Sequence, residues 1–142
     1  MTTLFFLFGI FVIINELKIF INPGFRLKML DNLKKKDFFK SDEFSKEDKS
    51  LGCIYAFFNI FYFIWGAIGL FASYQWKLFL VFFVIGIVTM LASKAFEKFG
   101  IYGSKIHLFT LRIDAIICII TTVEISFVHF HGFSIINYLL VI

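Results

Sequence analysis

Residues 106–131, IHLFTLRIDAIICIITTVEISFVHFH, decide the fold. A helix rises 1.5 Å per residue, so about 20 mostly apolar residues cross a bilayer, and this stretch is longer. Yet Arg112, Asp114 and Glu124 stand among its Ile, Leu, Val and Phe residues. A charge near the middle of a membrane helix costs at least roughly 2.5–3.5 kcal/mol, so such side chains face protein or water rather than acyl chains. Other spans must therefore surround this one.

The composition supplies them. Of 142 residues, 60% are hydrophobic, well above the roughly 45–50% of a soluble domain. Mean hydropathy is +0.89. Working outward from 106–131, apolar runs cover about 77–96, 51–73 and 4–21. The expectation is a single all-α membrane domain, an antiparallel bundle of four transmembrane helices. Residues 22–50 form a basic loop between the first two spans, and 132–142 an apolar tail too short to cross alone. That tail either lies along the interface or continues the fourth helix.

Local signals mark the joints. Asn22-Pro23-Gly24 ends the first span with turn chemistry. Ser45-Lys46-Glu47-Asp48 has capping-box spacing before the second span, with Ser45 as N-cap. The link Ser73-Tyr74-Gln75-Trp76 is short enough to force spans two and three into a hairpin, and its aromatic residues suit a membrane interface. Gly52, Ala56, Gly66, Ala67, Gly69 and Ala72 on span two, with Thr89 and Ser93 on span three, form small-residue seams for close helix approach. In the loop, Arg26, Lys28, Lys34, Lys35, Lys36 and Lys40 alternate with Leu and Phe, the pattern of an amphipathic segment on an anionic leaflet.

Charge sets the orientation. The net charge is +4, and every Lys and Arg except Lys77 falls toward the side of the 22–50 loop. By the positive-inside rule that loop is cytoplasmic, or matrix-facing in an organelle, and both termini lie opposite. A bacterial inner membrane is the expected location, with an organellar inner membrane as the alternative. The basic residues sit beside apolar spans, which argues against nucleic acid as a partner.

The intramembrane charges are the candidate site. With spans one and four centred near residues 12–13 and 117–118, Glu16 and Asp114 lie about 5 Å, and Arg112 about 8 Å, inward of the midplane. The similar depths suggest a Glu16–Arg112 ion pair, with Asp114 paired to Lys18 or hydrogen-bonded in the bundle. Glu124 lies about 10 Å outward, where Lys77 is the cation in reach. Asp114, Cys118, Thr121 and Thr122 form one polar stripe, and Cys118, Thr122 and Ser126 a small-residue ladder, so the fourth helix reads as an assembly interface or a pore lining.

Enzyme motifs are missing: no HExxH, GxSxG, phosphate-binding glycine loop or nucleotide fingerprint occurs. Cys53 and Cys118 show no metal spacing, and no cofactor or metal is expected. Glu16 in the first of four short spans resembles small multidrug-resistance antiporters at that one position. The long basic loop, the charged fourth span and the 23 Phe residues depart from that pattern.

The expected function is a non-enzymatic multi-pass membrane subunit, assembled with itself or with other membrane subunits in the lipid bilayer. One alternative is a small proton- or cation-coupled transporter or channel using the intramembrane carboxylates. The other is a lipid-modifying enzyme gathering Glu16, Asp114, His107 and Arg112 around a headgroup.

Overall fold

Three polar side chains set where helices begin. Asn22 Oδ1 accepts the Phe25 N–H at 3.2 Å, Ser45 Oγ the Asp48 N–H at 3.0 Å, and Ser104 Oγ the His107 N–H at 3.3 Å. Each satisfies an N–H that has no partner inside its own helix. The computed structural model describes residues 2–136. Its elements are α1 (Thr3–Leu7), α2 (Gly9–Ile21), α3 (Pro23–Lys34), α4 (Lys46–Ala72), α5 (Trp76–Lys98) and α6 (Lys105–His131), with no strand among the described residues.

Four helices are long and apolar enough to cross a membrane: Thr3–Ile21, which α1 and α2 form together, then α4, α5 and α6. A 27-residue helix such as α6 is about 40 Å long, so its ends reach past a hydrocarbon core of about 30 Å. Large apolar side chains, Phe57, Phe63, Phe71, Ile106 and Phe109 among them, point outward, where lipid is the favourable neighbour.

The first span bends at Phe8. Trp65 Nε1 donates to the Phe5 carbonyl at 2.9 Å and Ser126 Oγ to the Phe6 carbonyl at 3.4 Å, while Phe11 N–H turns to the Phe8 carbonyl at 3.0 Å. Side chains that insert into a helix's own hydrogen-bond ladder are a recognised cause of such bends.

Antiparallel to the first span, α6 is its main neighbour; α5 packs on α6, and α4 on α5. The Ser73–Gln75 link makes α4 and α5 the expected hairpin. The half of the core away from α3 gathers Phe6, Val12, Trp65, Phe79, Phe82 and Ile125. Here the small residues of α4 are notches for rings. A Cβ at Gly69 would run into the Phe79 ring, and one at Gly66 would stand 3.1 Å from Phe83 Cε2. At Gly9 a Cβ would stand 2.9 Å from Thr122 Cγ2, which is how closely α2 lies on α6.

The 22–50 loop differs from a segment lying on lipid. Asn22 closes α2 and caps α3 at once, with Pro23 at the first helical position, so α3 turns straight back beneath the bundle. It packs against α2, α4 and α6 and buries Leu27, Met29 and Asn32 there. Lys28, Lys34, Lys35, Lys36 and Lys40, expected as membrane-surface bases, are exposed; Arg26 is only partly so. Tyr102 donates to Asp31 Oδ1 at 3.1 Å, and burial together with that carboxylate pushes the phenol up to about 12. It therefore stays a donor in the cellular pH range.

At the far end α6 stops at Gly132, whose φ of 75° is left-handed and suits glycine. The Ile135 N–H donates to Glu124 Oε2 at 3.2 Å, so the chain doubles back rather than extending α6. The tail from residue 137 on lies outside the described residues.

The glycines give a paired test. Gly69→Val should lower stability by about 1–3 kcal/mol through overpacking against Phe79, whereas Gly86→Ala, whose Cβ meets nothing within 4 Å, should fold as well as the parent. Thermal unfolding in mild detergent reads both.

Candidate functional site

Arg26 is the residue that reorganises the intramembrane charges. It lies on α3, one turn after the Pro23 break, and its side chain runs up into the bundle. Arg26 Nη1 donates to Asp114 Oδ2 at 3.0 Å, with the Arg26 side chain 21% exposed and that of Asp114 5%. Glu16, from α2, is buried in the same place. Its Oε2 has no hydrogen-bond partner among the described residues. Around these groups a cavity of about 50 Å³ is lined by Asn15, Glu16, Ile19, Arg26, Asn59, Tyr62, Gly86 and Asp114, drawn from five helices.

A second layer surrounds it. Tyr62 OH donates to Cys118 Sγ at 3.1 Å, and the Cys118 thiol lies 4.0 Å from Asp114 Oδ1. Asn59 Nδ2 donates to the Tyr55 carbonyl at 2.7 Å, one turn back on α4. Next along α6, Thr122 Oγ1 donates to the Cys118 carbonyl at 2.7 Å, which closes the stripe above the cavity.

The expected ion pairs are corrected. The partner of Asp114 is Arg26, and Lys18 stays exposed on the outside of α2. Glu16 and Arg112 form no pair among the described residues; Arg112 Nε donates instead to the Phe20 carbonyl at 3.2 Å. The reason is angular. Residues two apart on a helix point about 200° from one another, so Glu16 and Lys18 cannot both face inward, nor can Arg112 and Asp114. The depth comparison did bring Arg112 to the correct part of α2, one turn from Glu16.

Arg26 was missed as a member of the site and read as a surface base. One signal was available. Only two of the 14 basic residues are arginines, and the guanidinium is the preferred partner for a buried carboxylate. Both arginines turn back onto the bundle.

The polar stripe of α6 faces this chain's own helices. Asp114, Cys118, Thr121, Thr122 and Glu124 are buried and Ser126 is half-buried between α2 and α6. It is packed inside the chain and is not an open face. Glu124 does not meet Lys77, whose Nζ lies 5.9 Å from the Trp76 ring centre; one carboxylate oxygen takes the Ile135 N–H instead.

His107 is fully buried, with both ring nitrogens engaged. The Gly103 N–H donates to Nδ1 at 3.1 Å, so Nε2 carries the proton in the neutral ring and faces Ser93 Oγ at 3.1 Å. This imidazole ties the first turn of α6 to the preceding loop and has no nitrogen free for a headgroup. Among the described residues, no three His, Cys, Asp or Glu side chains converge as a metal site requires. No protein-family model, curated protein or solved structure matches the chain.

The pairing makes a quantitative expectation. Arg26→Gln leaves a buried carboxylate uncompensated and should cost about 3–5 kcal/mol. Adding Asp114→Asn should recover most of that loss, whereas Arg112→Gln should cost about 1 kcal/mol for its single carbonyl contact. A double-mutant cycle on detergent-solubilised protein measures the coupling; additive losses would mean that the pair does not hold the fold.

Proposed function

We propose that this chain is a non-enzymatic, multi-pass membrane protein that binds a proton or a small cation at Glu16 and Asp114 and serves as a small coupled transporter or channel unit for it. One observation carries the reading. Glu16 buries a carboxylate oxygen without a partner beside a polar cavity in the middle of the bundle. A carboxylate in that position favours uptake of positive charge, as a proton or as an ion. Perturbed ionisable groups gathered in a cavity are the usual mark of a functional site.

The lipid-modifying alternative loses support, because His107 is tied up at both nitrogens and Arg112 is held on the Phe20 carbonyl. Assembly with further membrane subunits is the second reading. It draws support from a cleft of about 270 Å³ lined by Phe8, Phe11, Phe57, Phe58 and Phe61. That cleft lies between the first span and α4, whose rings meet at Phe8–Phe61 and Phe11–Phe61.

The orientation in this reading places the 22–50 loop, with its exposed lysines, in the cytoplasm of a bacterial cell and both termini outside. A Ser41→Cys variant should react with a membrane-impermeant maleimide only after the inner face is opened. Labelling of intact cells would reverse the topology.

Transport is tested in proteoliposomes. An imposed pH gradient should decay through the parent protein, and Glu16→Gln should reduce that flux at least about tenfold while the purified particle keeps its mass and helicity. Undiminished flux in Glu16→Gln sinks the reading. Loss of particle mass together with flux favours the assembly role.

A further inference from the structure

We infer that the cavity between Glu16 and Asp114 is a binding site for one small, hard monovalent cation, sodium by size and charge, held by oxygen atoms alone. This deepens the proposed function and depends on it only for the step in which the ion moves.

Charge is the first argument. Glu16 and Asp114 bring two carboxylates to the cavity and Arg26 brings one guanidinium. Arg26 Nη1 is committed to Asp114 Oδ2. The ionised cluster therefore carries a net charge of −1, located at Glu16, which is 3% exposed and has its Oε2 unpartnered. One positive charge completes it. A divalent ion would overshoot, and an anion would be repelled.

The donor set is the second argument. Asn59 Nδ2 is engaged on its own helix, which leaves the amide oxygen as its remaining acceptor. The Tyr62 proton is directed to Cys118 Sγ, which leaves the phenol oxygen lone pairs. With the two carboxylates the lining offers several oxygen acceptors, while its donors, the Arg26 guanidinium and the Asn15 amide, lie toward the carboxylates. All-oxygen sites select hard cations, and soft transition metals would ask for imidazole or thiolate.

Size is the third. A volume of about 50 Å³ has room for an ion together with some water, so these oxygens replace part of its hydration shell. Gly86 forms the wall contributed by α5. A Cβ there meets nothing within 4 Å, so a larger side chain would occupy the ion's space without displacing the helices.

Proton and sodium are alternative ways to supply the same charge. The groups facing Glu16 are Arg26 from α3, Tyr55 and Tyr62 from α4, and Asp114 and Cys118 from α6, while α5 adds only Gly86. Binding of one ligand at Glu16 excludes the other.

The test uses the full chain in mild detergent, with unfolding temperature measured in sodium chloride and in choline chloride at equal ionic strength. Sodium should raise the unfolding temperature saturably. The concentration required should climb about tenfold for each pH unit below the titration of Glu16. Potassium, which is larger, should give a weaker effect. Glu16→Gln should fold and lose the sodium response. Gly86→Val should lose it with Glu16 intact, which guards against a Glu16 variant that fails to fold. No sodium response in the parent overturns the site, and so does an unchanged response in Gly86→Val or an equal response to potassium. Sodium binding without vesicle flux leaves the site standing and ends the transport reading. Proton flux through Glu16 without a sodium response does the reverse.

Discussion

A guanidinium rooted on the short helix α3 reaches a carboxylate buried among the long apolar helices, and the rest of the arrangement depends on that contact. Asp114 sits on a helix long and apolar enough to cross a membrane, where a bare carboxylate would be expensive. Pairing it with Arg26 fixes two things together. It turns α6 so that Asp114, Cys118 and Thr121 face inward and Ile113, Ile116, Ile117 and Ile120 face out. It also holds α3 against the bundle, because Arg26 cannot reach Asp114 unless α3 folds back directly at Asn22 and Pro23. The exposed links Lys28–Asp48 at 3.2 Å and Lys34–Glu97 at 3.8 Å join the same helix to α4 and α5. Pairs so exposed contribute at most about 1 kcal/mol each, so the buried pair and Met29 carry the attachment.

Hydrogen-bonded and stacked side chains tie both ends of the bundle. At the inner end, His107 joins Gly103 and Ser93. At the outer end, the His129 ring stacks on Phe6 with centres 3.8 Å apart and lies 3.4 Å from Tyr74 OH, which in turn accepts from Gln75 Nε2 at 3.0 Å. Trp65, Phe79 and Phe82 fill the space between that end and the cluster. The polar groups of the middle are thus set in a frame whose ends are tied, and Glu16 is the member of that middle layer left with an open valence.

Much of this was legible in the sequence, and what was not has a physical cause. The four spans follow from apolar length, the hairpin from the brevity of Ser73–Trp76, and the start of α4 from Ser45. The small residues of α4 correctly mark close approach. A sequence cannot say whether the approaching group belongs to the same chain, and here Phe79, Phe82 and Phe83 fill the notches. The charged partners failed for a different reason. Depth along a helix comes from counting residues, but pairing also needs rotation about the axis, and Lys18 and Arg112 stand nearly opposite the acids beside them. Arg26 lay beyond either measure, since its position depends on how a loop helix folds back.

The cluster contains more charge than its structural work requires. Arg26 and Asp114 alone set the rotation of α6 and the seat of α3. A second acid beside them adds a desolvation cost, and its buried Oε2 has no hydrogen-bond partner among the described residues. A glutamine at position 16 could pack in the same volume without the charge. If the role of Glu16 were to hold helices in register, it would need a partner such as Asp114 has, and the nearest cation is already committed. An acid with a buried, unpartnered oxygen beside a space of about 50 Å³ fits the proposed binding of a proton or cation better than a purely structural role.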